Sequence, residues 1–390
     1  MKKLIGILSV IVVLAVVWLG ASWSVGQNVR SANNSFIEKI NAAWAKNPQT
    51  AGLKLTELSF DHGLFSSHAR YGMVMNEMSQ DPLAEFDVAY SHGPFPIEAL
   101  KQGNLSPKKY QAHVEFLIDN PQAKAMIGML TNSKSLLTAD FSCTYGKHCS
   151  GTGTVPAVNY DMAGVKLAWG GIQMQLDSDG DYLSDDTSYK VHNTWKILPL
   201  TINGLALGDG QGEGTEDAQS GSGNFSWKTD QGESKITVAF DFNKSLSGND
   251  KMGIRPEELI RLIKGGSLGL SLSKAMIADM AAKIDLLSAG RLLRELEGPA
   301  GDQSGNDEAA PTSISADRLP DLRKLVLAKI DETLAQTPQA QKYIKVEGDL
   351  ITADWKYQDN KVLINGQEDP VLTEAVKNIL QRMAPRGVQQ

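Results

Sequence analysis

The stretch Ile236-Thr-Val-Ala-Phe-Asp-Phe242 alternates bulky apolar residues with polar or small ones. A period of two places all four bulky residues on one side of a β-strand, which predicts a strand with one buried face. Successive strands joined by turns favour a large, mostly antiparallel, curved sheet. The same alternation recurs, with turn residues in between, at residues 53–60, 86–90, 110–118, 172–176 and 189–197.

The first 23 residues contain a long apolar run. Lys2 and Lys3 precede it, and no charged residue follows until Arg30. About 20 apolar residues in a helix span the hydrocarbon core of a bilayer. Three interpretations compete: an uncleaved transmembrane anchor over residues 4–23, a signal peptide cleaved near Ala21 or Gly26, and a buried core helix. The run is longer than the apolar region of a signal peptide and its cleavage sites are poor, so we expect the anchor.

The two lysines indicate which side of the membrane the chain occupies. The positive-inside rule keeps residues 1–3 in the cytoplasm and places the rest of the chain outside it. The formal net charge is −7, and no basic stripe interrupts the acidic excess. This charge distribution argues against nucleic acid and anionic lipid surfaces as partners.

The anchor sets the boundaries of the remaining regions. We expect a membrane-proximal helix over residues 24–50, an antiparallel β-rich region over 51–252, and a helical region with C-terminal strands over 253–390 that completes the same domain. Residues 298–313 have the composition of a flexible linker. The fold class is therefore α+β: an N-terminal transmembrane helix, then a large curved sheet with helices packed on one face.

Helical spacing is clearest after residue 253. Two apolar stripes are expected to face the core rather than a binding groove. The first contains Ile277, Met280, Ile284 and Leu287, and the second contains Leu322, Leu325, Val326, Ile330 and Leu334. Strand patterns at residues 344–347, 350–357 and 361–365 and a helix from Pro370 to about Met383 close the chain.

The chain has two cysteines, Cys143 and Cys149, separated by five residues with Gly146 in the middle. Outside the cytoplasm such a pair predicts a disulfide across a hairpin tip. Redox pairs are usually C-x-x-C, and two cysteines with His148 make an incomplete metal site. The structural disulfide is therefore expected, with about 2 kcal/mol of stabilisation from closing the short loop.

The pentapeptide His92-Gly93-Pro94-Phe95-Pro96 is the candidate interaction site. Its two prolines end a strand and hold Phe95 in one direction, and Gly93 is expected to adopt a backbone geometry that other residues avoid. Phe95 then either plugs the core at the end of the sheet or forms an exposed anchor for a partner. The buried alternative is favoured, because burial is the commoner fate of phenylalanine.

Three features together resemble the YdgA-like family of bacterial proteins of unknown function: the N-terminal apolar run, the motifs Gly63-Leu-Phe-Ser-Ser67 and His92-Gly-Pro-Phe-Pro96, and the ending Leu363-Ile-Asn-Gly366. The resemblance extends over the whole chain, although His62 stands where the family often has arginine. It implies a single-pass inner-membrane protein whose bulk lies in the periplasm. It implies no activity and no catalytic residues.

No catalytic, cofactor or metal motif emerges from the sequence. Two S-x-x-K matches, Ser106 to Lys109 and Ser271 to Lys274, lack the partner motifs of serine–lysine enzymes. The glycine-rich stretch 208–223 lacks the spacing of a phosphate-binding loop and is interpreted as a mobile acidic loop between strands.

Two groups of residues have side chains of the kind that bind metal ions. The acidic stretch 177–181 departs from the calcium-loop pattern and is interpreted as a turn. His62, His68 and His92 have the chemistry to bind Zn²⁺ if the fold brings them together, but turn and strand-edge histidines are the preferred interpretation. We therefore expect no resident metal and no cofactor.

The leading functional hypothesis is a membrane-tethered envelope protein that acts by binding rather than by catalysis. Its expected partners are the inner membrane, through residues 4–23, and either a second copy or another envelope protein. One alternative is a carrier of a lipid-like hydrophobic ligand, which an apolar cavity lined by residues such as Trp169, Trp195 and Phe240 would favour. The other alternative is an unrecognised hydrolase.

Overall fold

Consecutive strands of the chain pair with one another in a computed structural model of the protein. The structure describes residues 2–46, 50–75, 82–101, 103, 106–118, 120–162, 164–180, 187–254, 258, 261–288, 292 and 316–383. The strands in this part are β1 Leu53–His62, β2 Ser66–Met75, β3 Ala84–His92, β4 Tyr110–Leu117, β5 Leu137–Cys143, β6 His148–Val155, β7 Val158–Met162, β8 Val165–Trp169, β9 Ile172–Asp179, β10 Lys190–Ile202, β11 Leu205–Asp217, β12 Ser220–Thr229, β13 Gly232–Phe242, β14 Ile263–Ser273, β15 Lys345–Glu347, β16 Leu350–Gln358, β17 Lys361–Ile364 and β18 Gln367–Glu368. The helices discussed below are α1 Lys2–Lys46, α2 Ile97–Lys101, α3 Pro121–Thr131, α4 Gly248–Gly253, α5 Lys274–Leu287, α6 Leu319–Gln336 and α7 Pro370–Met383.

The strands form one sheet in which every pair is antiparallel. Strands β1 to β6 pair in order, β9 follows β6, and the order continues through β14 to β16, β17 and β18. The β7–β8 hairpin joins the end of β10 beyond a register shift at residues 197–200. The large antiparallel sheet expected from the sequence is confirmed.

The glycine-rich stretch 208–223 is not a mobile loop, so that prediction was wrong. Most of it lies in β11 and β12, which pair along their length. The glycines at 208, 210, 212 and 214 alternate with polar residues, so the stretch has a strand period with glycine in place of the apolar residues. Side chains from neighbouring strands fill the space above these glycines.

Helix α1 packs on the sheet over its first strands. Ile37, Ile40 and Trp44 lie against a cluster of buried residues that includes Leu55 and Tyr71. The side chain of Asn41 bonds to both backbone groups of Leu55, at 2.7 and 2.8 Å, and thereby satisfies part of the free edge of β1.

The predicted anchor, residues 4–23, belongs to the N-terminal part of α1. The side chains of residues 2–21 lie outside the part of the chain that the structure describes. Among the described residues, no helix combines the length and the apolar composition needed to cross a membrane. The predicted linker at 298–313 also lies outside the described residues.

The sheet is curved, with α1 on its inner side. Helix α4 follows the end of β13 and contacts α1, although α1 lies over β1 to β3. Ten strand-to-strand steps separate β1 from β13, which is about 48 Å in a flat sheet. Helix α4 can reach α1 only if the sheet bends toward the face that α1 covers.

Helices α5 and α6 pack on each other at one end of the strands, rather than across a face as expected for the helices after residue 253. Helix α5 begins directly where β14 ends, and the two helices bury Leu205, at the start of β11, with Leu286 and Leu322. The predicted stripe of α5 is wrong at Ile284, which is exposed, although Leu287 packs against this cluster. The buried side of α5 instead contains Asp279 and Lys283.

These two charged residues are buried because they pair. Asp279 accepts from Lys283 at 2.6 Å and from Arg323 of α6. Lys283 also donates to the carbonyl oxygen of Ala206. A buried charge is tolerated only with such partners, so this network joins α5, α6 and the strand ends. The predicted stripe of α6 is confirmed at Leu322 and Val326.

Candidate functional site: an apolar sheet face

The strands from β9 to β16 direct their large apolar side chains to the same side of the sheet. The ladders place Trp195 opposite Gly212, Gly212 opposite Phe225, and Phe225 opposite Ile236. Directly opposed residues point to the same side. We call this side the apolar face, and its large side chains are Ile172, Met174, Leu176, Trp195, Ile197, Phe225, Trp227, Ile236, Val238, Phe240, Leu268, Leu270 and Trp355.

The opposite side of the same strands is polar. Residues that alternate with the apolar ones supply amides, hydroxyl groups and charges along the whole width. They include Gln173, Gln175, Thr194, Lys196, Gln211, Glu213, Asn224, Ser226, Lys235 and Thr237. This contrast identifies the side that faces solvent and the side that requires an apolar partner.

Aromatic rings lie on the glycines of β11 and form the floor of the apolar face. The rings of Trp195 and Phe225 stack with centroids 4.9 Å apart and an interplanar angle of 17°. The Trp195 ring occupies the place where a Cβ atom of Gly212 would be. The Trp227 ring covers Gly210 and lies 2.8 Å from the place where a Cβ atom of Gly210 would be. Trp227 Nε1 donates to the carbonyl oxygen of Leu207 at 2.9 Å.

The apolar face is open over β13 and β16. Ile236 is 41% exposed, Val238 45% and Trp355 37%, although residues in such strands are usually covered by another layer. Within the part of the chain that the structure describes, α1 lies against the face over the first strands, and α5 and α6 lie at the strand ends. Phe240 and Trp195, expected in a lipid-binding cavity, are on this face; Trp169 lies on β8, opposite Leu200 of β10.

Helix α4 closes the apolar face at the end opposite to α5 and α6. Lys251 of α4 lies 5.0 Å from the ring centroid of Phe242 and 5.4 Å from that of Tyr189. Its ammonium group is 2.7 Å from the Glu216 carboxylate. Leu246, just before α4, is completely buried. The two ends of the apolar face are therefore closed by helices.

Helix α1 packs next to two histidines of the sheet. His62 and His92 lie with ring centroids 6.0 Å apart and an interplanar angle of 22°, and a Cβ atom on Gly26 would be 2.6 Å from His62 Nε2. Burial lowers the pKa of His92 below the usual 6.5, and the neighbouring His62 acts in the same direction. Close packing here requires glycine at position 26 and an uncharged His92.

Two tyrosines fix the middle of α1 to the sheet. The amide nitrogen of Asn33 donates to the hydroxyl groups of Tyr71 at 2.8 Å and Tyr90 at 2.9 Å. Burial raises the pKa of Tyr71 to about 12 and also raises that of Tyr90. Both phenols therefore remain protonated partners of α1.

The three histidines considered as zinc ligands do not come together. His68 points to the polar side of β2, where its Nε2 is 2.6 Å from Asp87 Oδ1. His62 and His92 point to the other side, next to Gly26 of α1, where His92 is buried and His62 remains exposed. The preferred interpretation, strand histidines with separate structural roles, agrees with this arrangement.

The pentapeptide 92–96 combines buried and exposed residues. His92 is 1% exposed, Pro96 is fully buried, and Gly93 has φ +115° and packs directly on Ser22 of α1. The predicted need for glycine at position 93 is confirmed. Phe95 is 38% exposed, so the prediction that it plugs the core was wrong: α1, rather than Phe95, fills this end of the sheet.

A shallow cavity of about 390 Å³ lies on the polar side of β4, β5, β6, β9 and β10. Among its lining side chains are Gln111, Asp140, Ser142, Ser150, Thr152, Gln175, Asp177, His192 and Thr194. Next to it, His148 contacts Asp179 at 2.8 Å and Asp177 at 3.5 Å. These three groups have metal-ligand chemistry, but both carboxylates are exposed and already pair with the imidazole.

The cysteine pair forms the predicted disulfide. Cys143 ends β5, and Cys149 lies opposite it on β6. The bond closes the hairpin whose turn includes Tyr145 and Lys147. Residues 177–179 belong to β9 and Gly180 follows with φ +86°, so the acidic stretch ends a strand at this hairpin, and Asp181 lies outside the described residues.

Sequence comparison shows which proteins this chain is similar to. The chain is 30% identical to the uncharacterised protein YihF of Escherichia coli K12 over 182 residues, which is 45% of this chain and 37% of YihF. It is 25% identical to the protein YdgA of the same organism over 187 residues, or 46% of this chain and 37% of YdgA. Each alignment thus covers little more than a third of the relative. Residues 1–207 and 223–371 match the profile of a family described as bacterial proteins of unknown function. The chain therefore belongs to the DUF945 family, as the YdgA-like motifs had indicated.

Proposed function

We propose that this chain is a membrane-tethered envelope protein that binds the acyl chains of a lipid-like ligand along its apolar face. The observation that supports this function is the exposure of Ile236 and Val238 in the middle of an otherwise apolar surface. Water contact with such a surface is unfavourable by about 25 cal/mol for each Å². Contiguous exposed apolar surface in a soluble region commonly marks a binding site.

The dimensions of the apolar face suit a hydrocarbon chain. Six steps separate β9 from β16 in the sheet, which gives a width of about 29 Å along the curved surface. One leaflet of a bilayer contributes roughly 15 Å of hydrocarbon thickness. A leaflet-length acyl chain therefore fits across the face with apolar side chains along its whole length.

The flat aromatic floor supports the same assignment. Because Trp195 and Phe225 lie on glycines, their rings do not project far into the concave space. A sheet with large side chains on all strands would fill this space instead. The glycines of β11 thus keep room above the rings for a ligand.

The tether is part of the proposal. The apolar run at residues 4–23 has the composition of an inner-membrane anchor, and the family resemblance implies a periplasmic domain with the N-terminus in the cytoplasm. An anchor of this kind keeps the apolar face close to a source of lipid.

We place the activity in binding rather than in catalysis. Ser67 Oγ lies 3.1 Å from His92 Nε2, which is the contact that a serine hydrolase needs. However, His92 is covered by α1 and Ser67 is buried as well, so a substrate has no access to this pair. The exposed histidines His68, His113 and His148 contact carboxylates instead.

Native mass spectrometry of the full chain extracted in detergent tests this function. The wild-type protein should carry a co-purified lipid mass. Val238→Lys places a charge in the centre of the apolar face and should remove that mass. Thr237→Lys is the matched control, because it adds the same charge one residue away on the polar side and should leave the lipid bound.

Two results would contradict the proposal. The first is a wild-type protein without lipid in detergents that preserve other lipid complexes. The second is equal loss of lipid in both lysine variants, since the binding surface would then not be the apolar face. A protein partner co-purifying in place of lipid would favour an interaction role without a carrier function.

A further inference from the structure

We propose that a second surface, at the end of the sheet where α1 leaves it, docks into the bilayer interface and orients the domain on the membrane. We call this surface the loop end. It comprises residues 63–65, 93–101, 106–109 and 144–147 together with Trp23 of α1. This contact rests on the tether proposed above, but it does not depend on whether the apolar face carries lipid.

The segments of the loop end form one continuous surface. The backbone nitrogen of His92 donates to the Phe65 carbonyl oxygen at 2.9 Å, and that of Lys108 donates to the Pro94 carbonyl oxygen at 3.0 Å. The nitrogen of Lys109 donates to the carbonyl oxygen of Cys143 at 2.7 Å. Backbone bonds thus connect three neighbouring loops, and the disulfide fixes the hairpin beside them.

Large apolar side chains on this surface are exposed to solvent. Phe95 is held there by two prolines, so it loses little conformational freedom when it is buried by a partner. Tryptophan and tyrosine are the residues enriched where protein meets the headgroup region of a bilayer. The exposed side chains of the loop end are Trp23, Leu64, Phe95, Ile97, Leu100 and Tyr145.

The path of α1 selects a bilayer as the partner. Trp44 packs near the start of β1, and Ser22 packs on Gly93 at the end of β3, so α1 runs along the strands toward the loop end. The helix continues without interruption to Lys2. The 20 residues at its N-terminal end, which precede Ser22, measure about 30 Å, the thickness of a hydrocarbon core. A membrane that contains this apolar segment therefore lies next to the loop end.

The local charge is suited to a bilayer surface. The loop end contains four lysines and one acidic residue, Glu98, so this surface is basic although the chain as a whole is acidic and was expected to avoid anionic lipid surfaces. Lys109 and Lys147 are exposed. Lysine near apolar side chains is typical of segments that lie at the interface of anionic lipids.

The test uses the full chain in vesicles of phosphatidylethanolamine and phosphatidylglycerol. Both native cysteines are in the disulfide, so one introduced cysteine can be labelled with an environment-sensitive fluorophore. Leu64→Cys and Leu100→Cys report the loop end. Met129→Cys is the matched control, since Met129 is 71% exposed on α3 at the opposite end of the strands. Nitroxide-labelled lipid then quenches any fluorophore at the interface.

We expect blue-shifted emission at positions 64 and 100 and quenching about twofold or more stronger than at position 129. Adding Phe95→Ser to Leu100→Cys should reduce that quenching while the circular dichroism spectrum stays unchanged. Water-like emission at both loop-end positions, or equal quenching at position 129, would overturn the docking proposal. A second result is lipid bound on the apolar face around Val238 together with no quenching at the loop end. This result would refute the docking proposal and leave the carrier function intact.

Discussion

A single methyl group at Gly212 should destabilise this sheet. In most strands, replacing glycine by alanine stabilises the folded state by about 0.4–1 kcal/mol, because the unfolded chain loses freedom. Here the added Cβ atom would overlap the Trp195 ring. The ring has to move, and its stack on Phe225 is lost.

Three contributions determine the change in the free energy of unfolding. Overpacking in a tight site costs about 1–3 kcal/mol, and loss of an aromatic stack costs about 0.5–1.5 kcal/mol. After subtracting the usual gain of about 0.4–1 kcal/mol, the free energy of unfolding should fall by about 2 kcal/mol. The size of the loss therefore depends on whether the ring lies on the glycine.

Guanidinium denaturation followed by far-ultraviolet circular dichroism measures this change. Gln211→Ala is the control, because it is the adjacent residue of β11 on the polar side and should alter stability by less than about 0.5 kcal/mol. In a Trp195→Ala background the ring is absent, but the backbone carbonyl oxygen of Asn224 would still lie 2.7 Å from the added Cβ atom. Gly212→Ala should therefore cost less stability there than in the wild type. If Gly212→Ala is as stable as the wild type, or costs as much without Trp195 as with it, the proposed contact with the ring is wrong.

Replacing Cys143 and Cys149 by serine should lower the free energy of unfolding by about 2 kcal/mol, measured against the disulfide-bonded wild type. Asp279→Asn removes the buried anion that Lys283 and Arg323 share and leaves them the exposed Asp230, at 3.4 and 3.8 Å. The change should cost about 3–5 kcal/mol in the same denaturation assay. Phe95→Ala should change stability by less than about 1 kcal/mol, because the side chain is partly exposed; a larger loss would restore the core assignment. Burial lowers the pKa of His92, so the unfolded chain binds the proton first and stability should fall as the pH drops below 6.5. His92→Asn should flatten that pH dependence between pH 7.5 and 5.

The sequence predicts most strands because their apolar residues repeat with a period of two. The first hairpin, the helix after Asn120 and the C-terminal strands and helix lie where this reasoning puts them. Each of these elements contains its own signal: alternation, a turn residue, or a proline at a helix start. Local patterns are sufficient there because short connections determine the pairing.

The glycine-rich strand β11 could not be recognised by the same reasoning. Over residues 208–214 its buried side has no apolar residues of its own, because Trp195 and Phe225 come from the strands on either side. The alternation of glycine with acidic or polar residues at positions 208–214 was the available signal. A period of two among the glycines, rather than among apolar residues, predicts this strand.

Which side chains are covered also depends on partners distant in sequence. The buried side of α5 was missed because Asp279 is neutralised by Arg323, which is 44 residues away. Phe95 is exposed because α1 takes the place that it was expected to fill. The open apolar face was beyond prediction for a similar reason: alternation shows that a strand has an apolar side, and only the fold shows what covers it.

The pairing of strands in chain order has a consequence for how the protein folds. Almost every strand finds its partner in the segment just synthesised, so few contacts must wait for a distant part of the chain. Low contact order of this kind speeds folding. A chain that emerges from its N-terminus can add one hairpin at a time to a growing sheet edge, and the hairpin of Cys143 and Cys149 can form before the later strands have emerged.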